Sequence, residues 1–207
     1  MFKAALKDFR LVSISGFIFG LFLLPILENV KPEFWRLNFA NAALVVIGFT
    51  LFYNLALWIA NLISRKFPPL WQFSKYVAVG FMSAAVNFGI LNFFSLVTGV
   101  FSGFSIIVFN ILAFFITITN AFFWHKFWSF EKKSAPHLAE YSQFVGVTVL
   151  SGLIDSGVVY VLTTVIGAPE FFSPALWENI SKVIAAVPVV IWNFLFYKFW
   201  IFKHEKV

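Results

Sequence analysis

The sequence has no cysteine, so neither a disulfide framework nor a thiolate metal site is open to it. Only 12% of its 207 residues are charged, against roughly a quarter in a soluble domain. It holds 9 acidic residues and 3 histidines. No spacing among them resembles a metal site, a Ser/His/Asp arrangement or a paired-acid motif, and no glycine-rich phosphate loop occurs. An enzyme is therefore not expected, nor a bound metal, nor any cofactor. Polar stretches are too short to build a soluble domain.

What is abundant is apolar sequence: 61% of residues are hydrophobic and 21% aromatic. Six apolar runs lie at about 11–27, 39–63, 75–97, 102–128, 142–166 and 177–201. Each can cross a hydrocarbon core of about 30 Å as a helix. The runs are continuously apolar rather than alternating, which argues against barrel strands. The expected fold is an all-α integral membrane protein with six transmembrane helices. The first run follows Lys3, Lys7 and Arg10 as a signal peptide would. It ends in Pro25-Ile26-Leu27-Glu28-Asn29, without a small-residue cleavage pattern, so an uncleaved span is expected.

Charge sets the expected orientation. Lys3, Lys7, Arg10, Arg65, Lys66, Lys75, Lys126, Lys132, Lys133, Lys198, Lys203 and Lys206 fall on one side, and Lys31 and Arg36 on the other, with Lys182 just inside the sixth run. The positive-inside bias puts both termini in the cytoplasm of a plasma (inner) membrane. The formal net charge of +6 thus reflects topology and anionic headgroups, not nucleic acid. Arg65-Lys66-Phe67-Pro68-Pro69 breaks the chain, since proline cannot continue a helix. It separates an N-terminal hairpin, 1–69, from a four-helix domain, 70–207.

That domain reads as two tandem two-helix repeats, about 71–133 and 139–205. Phe73-Ser74-Lys75-Tyr76 matches Tyr141-Ser142-Gln143-Phe144, and Asn87-Phe88-Gly89 matches Asp155-Ser156-Gly157. The copies close alike, in Lys126-Phe127-Trp128-Ser129-Phe130 and Lys198-Phe199-Trp200-Ile201-Phe202. A two-span unit returns to its starting side, so the copies share one orientation. In the first hairpin Ser13, Gly16 and Gly20 echo the small residues of the repeats, but no Phe-Trp-x-Phe follows Ile63.

The Lys-Phe-Trp-x-Phe endings, and the small residue followed by Asn87 or Asp155 before glycine, resemble the GtrA-like family of small membrane proteins. The resemblance covers about 71–202 and leaves the hairpin outside the usual four-span pattern. Asn193 followed by Lys198-Phe199-Trp200-Ile201-Phe202 is similar to the family's closing motif, with Tyr197 and His125 where the family often has Asn. The resemblance implies handling of polyprenyl-phosphate-linked monosaccharides, usually as translocation across the membrane. It also implies work beside a membrane glycosyltransferase.

Several residues have two readings. Gly80, Ser83, Ala84 and Asn87, and likewise Thr148, Ser151, Gly152 and Asp155, fall at i, i+3, i+4, i+7 on one helix face. Such stripes serve tight helix packing or a polar path. Asp155 lies mid-span, where an acid is costly unless it faces a cavity or a partner. Lys182 is the nearest candidate partner in sequence, and the pair is either a substrate site or a structural ion pair. Lys126 and Lys198, beside Trp124, Trp128 and Trp200, form an interfacial belt or converge on a lipid phosphate. Pro188 is expected to kink the sixth helix. The expected substrate-binding set is Lys126, Lys198, Trp128, Trp200, Asn87, Asn120, Asp155, Asn193, His125, Tyr197 and Lys182. Expected partners are a lipid-linked sugar, membrane lipids, a glycosyltransferase and further copies of the chain. Two alternatives to translocation stay open: an anchor that presents the lipid acceptor to a glycosyltransferase, and a transporter of small solutes.

Overall fold

The structure is a computed structural model and describes residues 6–32, 35–100, 104–171 and 174–203. Among these residues there is no strand. Six α-helices follow in order: α1 (Leu6–Val30), α2 (Phe39–Ser64), α3 (Pro69–Thr98), α4 (Phe104–Trp124), α5 (Leu138–Tyr160) and α6 (Pro174–Phe196). The last three continue directly into π-helical segments, His125–Ser129, Val161–Ile166 and Tyr197–Ile201.

The helices overlie the six apolar runs, and their ends follow local chemistry. At the start of α2, Asn41 N–H donates to Asn38 Oδ1 at 2.9 Å, the bond of an N-cap. Pro69 opens α3, where a missing N–H costs nothing. Gly99 closes it in the left-handed region at φ 70, its N–H donating to Ser95 O at 2.9 Å. Pro25 and Pro188 are accommodated inside α1 and α6, both of which continue past them.

Five helices among the described residues are long and apolar enough to cross a membrane: Leu6–Val30, Phe39–Ser64, Pro69–Thr98, Val108–Ser129 and Val183–Ile201. In α2 only 11% of the apolar window is buried, and Phe39, Leu44 and Leu51 point outward. Apolar side chains on the outside of a self-bonded helix suit lipid, not water. The chain is a multi-pass membrane protein. The helix outside these five is α5, where Glu140, Gln143 and Asp155 dilute the apolar run.

The chain divides into two compact units, Met1–Glu131 and Lys132–Val207. In the first, α1 and α2 are antiparallel and close: Ser13 pairs with Asn54, and Asn54 Nδ2 donates to Ser13 Oγ at 2.9 Å. A Cβ on Gly16 would stand 2.8 Å from Phe49 O, and one on Gly20 2.7 Å from Val46 Cα. α1 also runs parallel to α3. Lys75 meets Asp8 at one end, a Cβ on Gly89 would lie 2.4 Å from Phe22 O in the middle, and Asn29 Nδ2 donates to Asn92 Oδ1 at 2.6 Å at the other end. α4 returns antiparallel to α3, from Phe109 beside Phe94 to His125 beside Tyr76. Lys7, Arg10, Arg65, Lys66 and Lys126 therefore share one end of this unit. Val12, Leu57, Val79, Met82 and Val86 fill its core. An apolar cavity of about 520 Å³ lies among α1, α2 and α3, with Phe19, Phe52, Tyr53 and Phe81 in its walls. The second unit is the antiparallel pair α5–α6 with its two π-helical segments.

Candidate functional site

The Lys-Phe-Trp-x-Phe endings have an unusual backbone in common. His125–Ser129 and Tyr197–Ile201 are both π-helical. Phe130 N–H donates to His125 O at 2.8 Å, and Phe202 N–H donates to Tyr197 O at 2.8 Å, each five residues back. A π segment inserts a residue into the turn and is frequent at functional sites. The side chains around the two turns also correspond. Tyr76 stacks on His125 with centroids 5.0 Å apart, and Phe144 stacks on Tyr197 at 4.6 Å. Phe130 lies 6.1 Å from His125, and Phe202 6.1 Å from Tyr197. Tyr76 and Phe144 are the residues aligned by the two matching helix openings.

Beyond these shared rings the two turns diverge. In the first, Lys126 is fully buried, with Nζ 5.9 Å from the Phe122 ring centroid. Trp128 is buried too, and its Nε1–H donates to Asp8 Oδ1 at 3.1 Å. Asp8 in turn stands 3.5 Å from Lys75 Nζ, which also pairs with Glu131. This cluster was not legible in the sequence, where Lys75 counts only as one of the basic residues of one side. Its one signal was acidic residues on a side otherwise basic. In the second turn Trp200 is exposed, and Lys198 is half-buried with Nζ 5.5 Å from Phe194 and 5.4 Å from Phe199. The two lysines therefore present themselves differently: Lys198 has access to the surroundings, and Lys126 has none in this arrangement.

Inward from the second turn, α5 and α6 carry a ladder of polar pairs. Thr148 Oγ–H donates to Phe144 O at 2.8 Å. Its oxygen then accepts from Tyr197 Oη–H, also at 2.8 Å. Three residues on, the Ser151 hydroxyl has two acceptors, Val147 O at 2.6 Å and Asn193 Oδ1. Asp155, half-buried, follows one turn deeper, about 6 Å further along the axis at 1.5 Å per residue. Gly152 stands on the same stripe, and a Cβ there would meet nothing within 4 Å; the same is true of Gly80 in α3. The close helix contacts instead use Gly16, Gly20 and Gly89.

The first repeat lacks this ladder. Counted back from its lysine, the position of Asn193 is taken by Ala121, and Ser83, the counterpart of Ser151, is left with a buried hydroxyl that has no partner among the described residues. Asn87 and Asn120 are each half-buried in the first unit. The backbone of Lys182 lies in α6, but its side chain is outside the described residues.

A family model, the GtrA/DPMS transmembrane domain, matches residues 75–202. The chain belongs to this family. The match begins at Lys75 and takes in both π-helical Lys-Phe-Trp-x-Phe turns. The α1–α2 hairpin lies before it. No curated protein and no solved structure matches the chain.

Proposed function

We propose that this GtrA/DPMS-family protein moves a polyprenyl-phosphate-linked monosaccharide from the cytoplasmic to the outer leaflet of a plasma membrane, for building or modifying cell-surface glycans. The observation that carries this reading is the ladder Tyr197–Thr148, Ser151–Asn193 and then Asp155, running inward from the lysine-bearing end of α6. A sugar leaving water needs its hydroxyls bonded, because a bare hydroxyl in hydrocarbon costs several kcal/mol, about 4–8 against an alkane. Amide, hydroxyl and carboxylate groups spaced a turn apart can exchange their mutual bonds for bonds to a passing sugar. In this mechanism Lys198 and Trp200 receive the phosphate and the sugar face at the surface. The prenyl chain stays in lipid throughout. His125 and Tyr197 hold the π-helical turns by stacking. Six spans with both termini cytoplasmic complete the proposal, α5 being the sixth. No covalent step is involved.

A second reading is favoured by one observation, the burial of Lys126 and Trp128 in the first turn. A wholly packed copy suits an anchor that docks a glycosyltransferase and presents its lipid acceptor. Reconstituted vesicles separate the two readings. Protein-containing vesicles should transfer a defined polyprenyl-phosphate sugar between leaflets faster than protein-free ones. Equal rates, with the glycosyltransferase retained on the protein, would favour the anchor; equal rates for lipid-linked and free sugar would favour a solute transporter.

A further inference from the structure

One buried cation of the first unit, Lys75, sits between two carboxylates that are not alike. The Lys75 side chain is 2% exposed. Asp8, on one side, is 9% exposed and already accepts the Trp128 indole N–H, so it is bound into the packing. Glu131, on the other side, pairs with the same Nζ yet is 58% exposed. Its backbone lies in the left-handed region, at φ 53, a conformation that costs an ordinary side chain and favours glycine. The chain thus holds Glu131 in an unfavourable conformation while its carboxylate covers Lys75 from the membrane surface. The Trp71 ring, 5.6 Å from Nζ, forms another wall.

We propose that Lys75 is the seat for a lipid-borne phosphate group, and that the Glu131 carboxylate is a stand-in occupying the seat until that phosphate displaces it. The physical case is one of exchange. Lys75, Asp8 and Glu131 together carry one positive and two negative charges, so an anion cannot simply be added. It can take the place of the exposed carboxylate. The phosphodiester of a lipid-linked sugar brings one charge and two free oxygens and so replaces the carboxylate like for like, while a phosphate monoester, with more charge and three acceptor oxygens, competes for the seat more strongly. Glu131 is free to swing outward and relax its backbone, while Asp8 stays with Lys75 and Trp128. The site rests on the lipid-linked-sugar reading for its ligand and adds where that ligand's phosphate is held. Binding is measured without any transfer step, so failure of this site and failure of translocation are distinguishable.

The test uses the full chain in lipid nanodiscs, titrated with three probes: a polyprenyl monophosphate, the matching polyprenol and inorganic phosphate. Two substitutions remove the stand-in, Glu131→Gln and Glu131→Gly; the glycine also relieves the left-handed backbone and so keeps the turn folded. Both should tighten polyprenyl monophosphate binding roughly tenfold, because a like charge leaves the seat. The polyprenol should bind as before. Adding Lys75→Gln to Glu131→Gly should abolish the gain. No gain in either Glu131 variant overturns the proposal, as does a gain that survives loss of Lys75. A gain seen with inorganic phosphate but not with the lipid would mean a free-anion site and would also overturn it.

Discussion

Trp128 Nε1–H donates to Asp8 Oδ1 at 3.1 Å, joining the π-helical end of α4 to the first turn of α1. The bond matters because Asp8 also neutralises Lys75, at 3.5 Å. Removing one member of a buried pair costs about 3–5 kcal/mol. Asp8→Ala should therefore lower stability by about 3 kcal/mol, since Lys75 keeps Glu131. Asp8→Asn should cost less, because it retains an acceptor for Trp128. The double change Asp8→Asn with Lys75→Met should recover part of the loss. Unfolding midpoints in detergent check all three; an Asp8→Ala protein as stable as the parent would refute the cluster's structural role.

The glycines of the first unit should separate cleanly. Gly89→Ala places a Cβ against Phe22 O and Gly20→Ala one against the α2 backbone, so each should cost about 1–3 kcal/mol. Gly80→Ala meets open space and should leave the midpoint unchanged or raised slightly. Equal losses at Gly80 and Gly89 would contradict the packing described for α1 and α3.

Topology follows from charge and can be read directly. Reporter fusions after Val207 and in the connection near Gly167 should report opposite sides of the membrane, with the C-terminal one cytoplasmic. The same side for both would remove α6 as a span and with it the polar ladder as a transmembrane path.

Asp155 distinguishes substrate handling from assembly. Asp155→Asn keeps the shape and matches Asn87 in the first repeat. It should leave the unfolding midpoint within about 0.5 kcal/mol and slow leaflet transfer, because a carboxylate accepts hydroxyl hydrogen bonds more strongly than an amide. If Lys182 were its structural partner, Asp155→Asn would destabilise the protein and Lys182→Met would rescue it. Full transfer by a stable Asp155→Asn protein would end the claim.

Lys126 and Lys198 should not behave alike, although they stand in identical motifs. Lys198→Gln removes a half-buried charge and should weaken binding of the lipid-linked sugar with the fold intact. Lys126→Gln alters a fully buried side chain and should show first as lost stability. Ligand titration and thermal unfolding of the two variants, side by side, test the contrast.

Much of the fold was legible because bilayer thickness dictates helix length and leaves continuous apolar runs. Residues 39–63 were read as one span, and α2 is Phe39–Ser64. The paired endings were legible as words, but not as π-helical turns, since an i→i+5 bond leaves no mark in composition. Which small stripes pack was not legible either. Gly80 and Gly89 look equivalent in sequence, and only the neighbour, Phe22, distinguishes them. Of the candidate site, Asn193 and Tyr197 are legible by motif, while their partners Ser151 and Thr148 stand only in a stripe that reads first as helix packing. The Asp8–Lys75–Glu131 cluster was missed because Lys75 and Glu131 lie 56 positions apart.

The order of synthesis gives the α1–α3 contact a further consequence. Asp8 leaves the ribosome first, Lys75 much later, and Trp128 and Glu131 last, so the hairpin must wait in the bilayer with its acid solvated and the slot opposite Phe22 empty. It cannot settle until α3 arrives with Gly89 and Lys75, and the charge cluster cannot close until α4 has turned through its π segment. A chain begun at the edge of the matched family domain would never make this closure: Lys75 would be born without Asp8. The hairpin therefore supplies the family domain's first helix with both a counter-charge, Asp8, and a packing partner, Phe22.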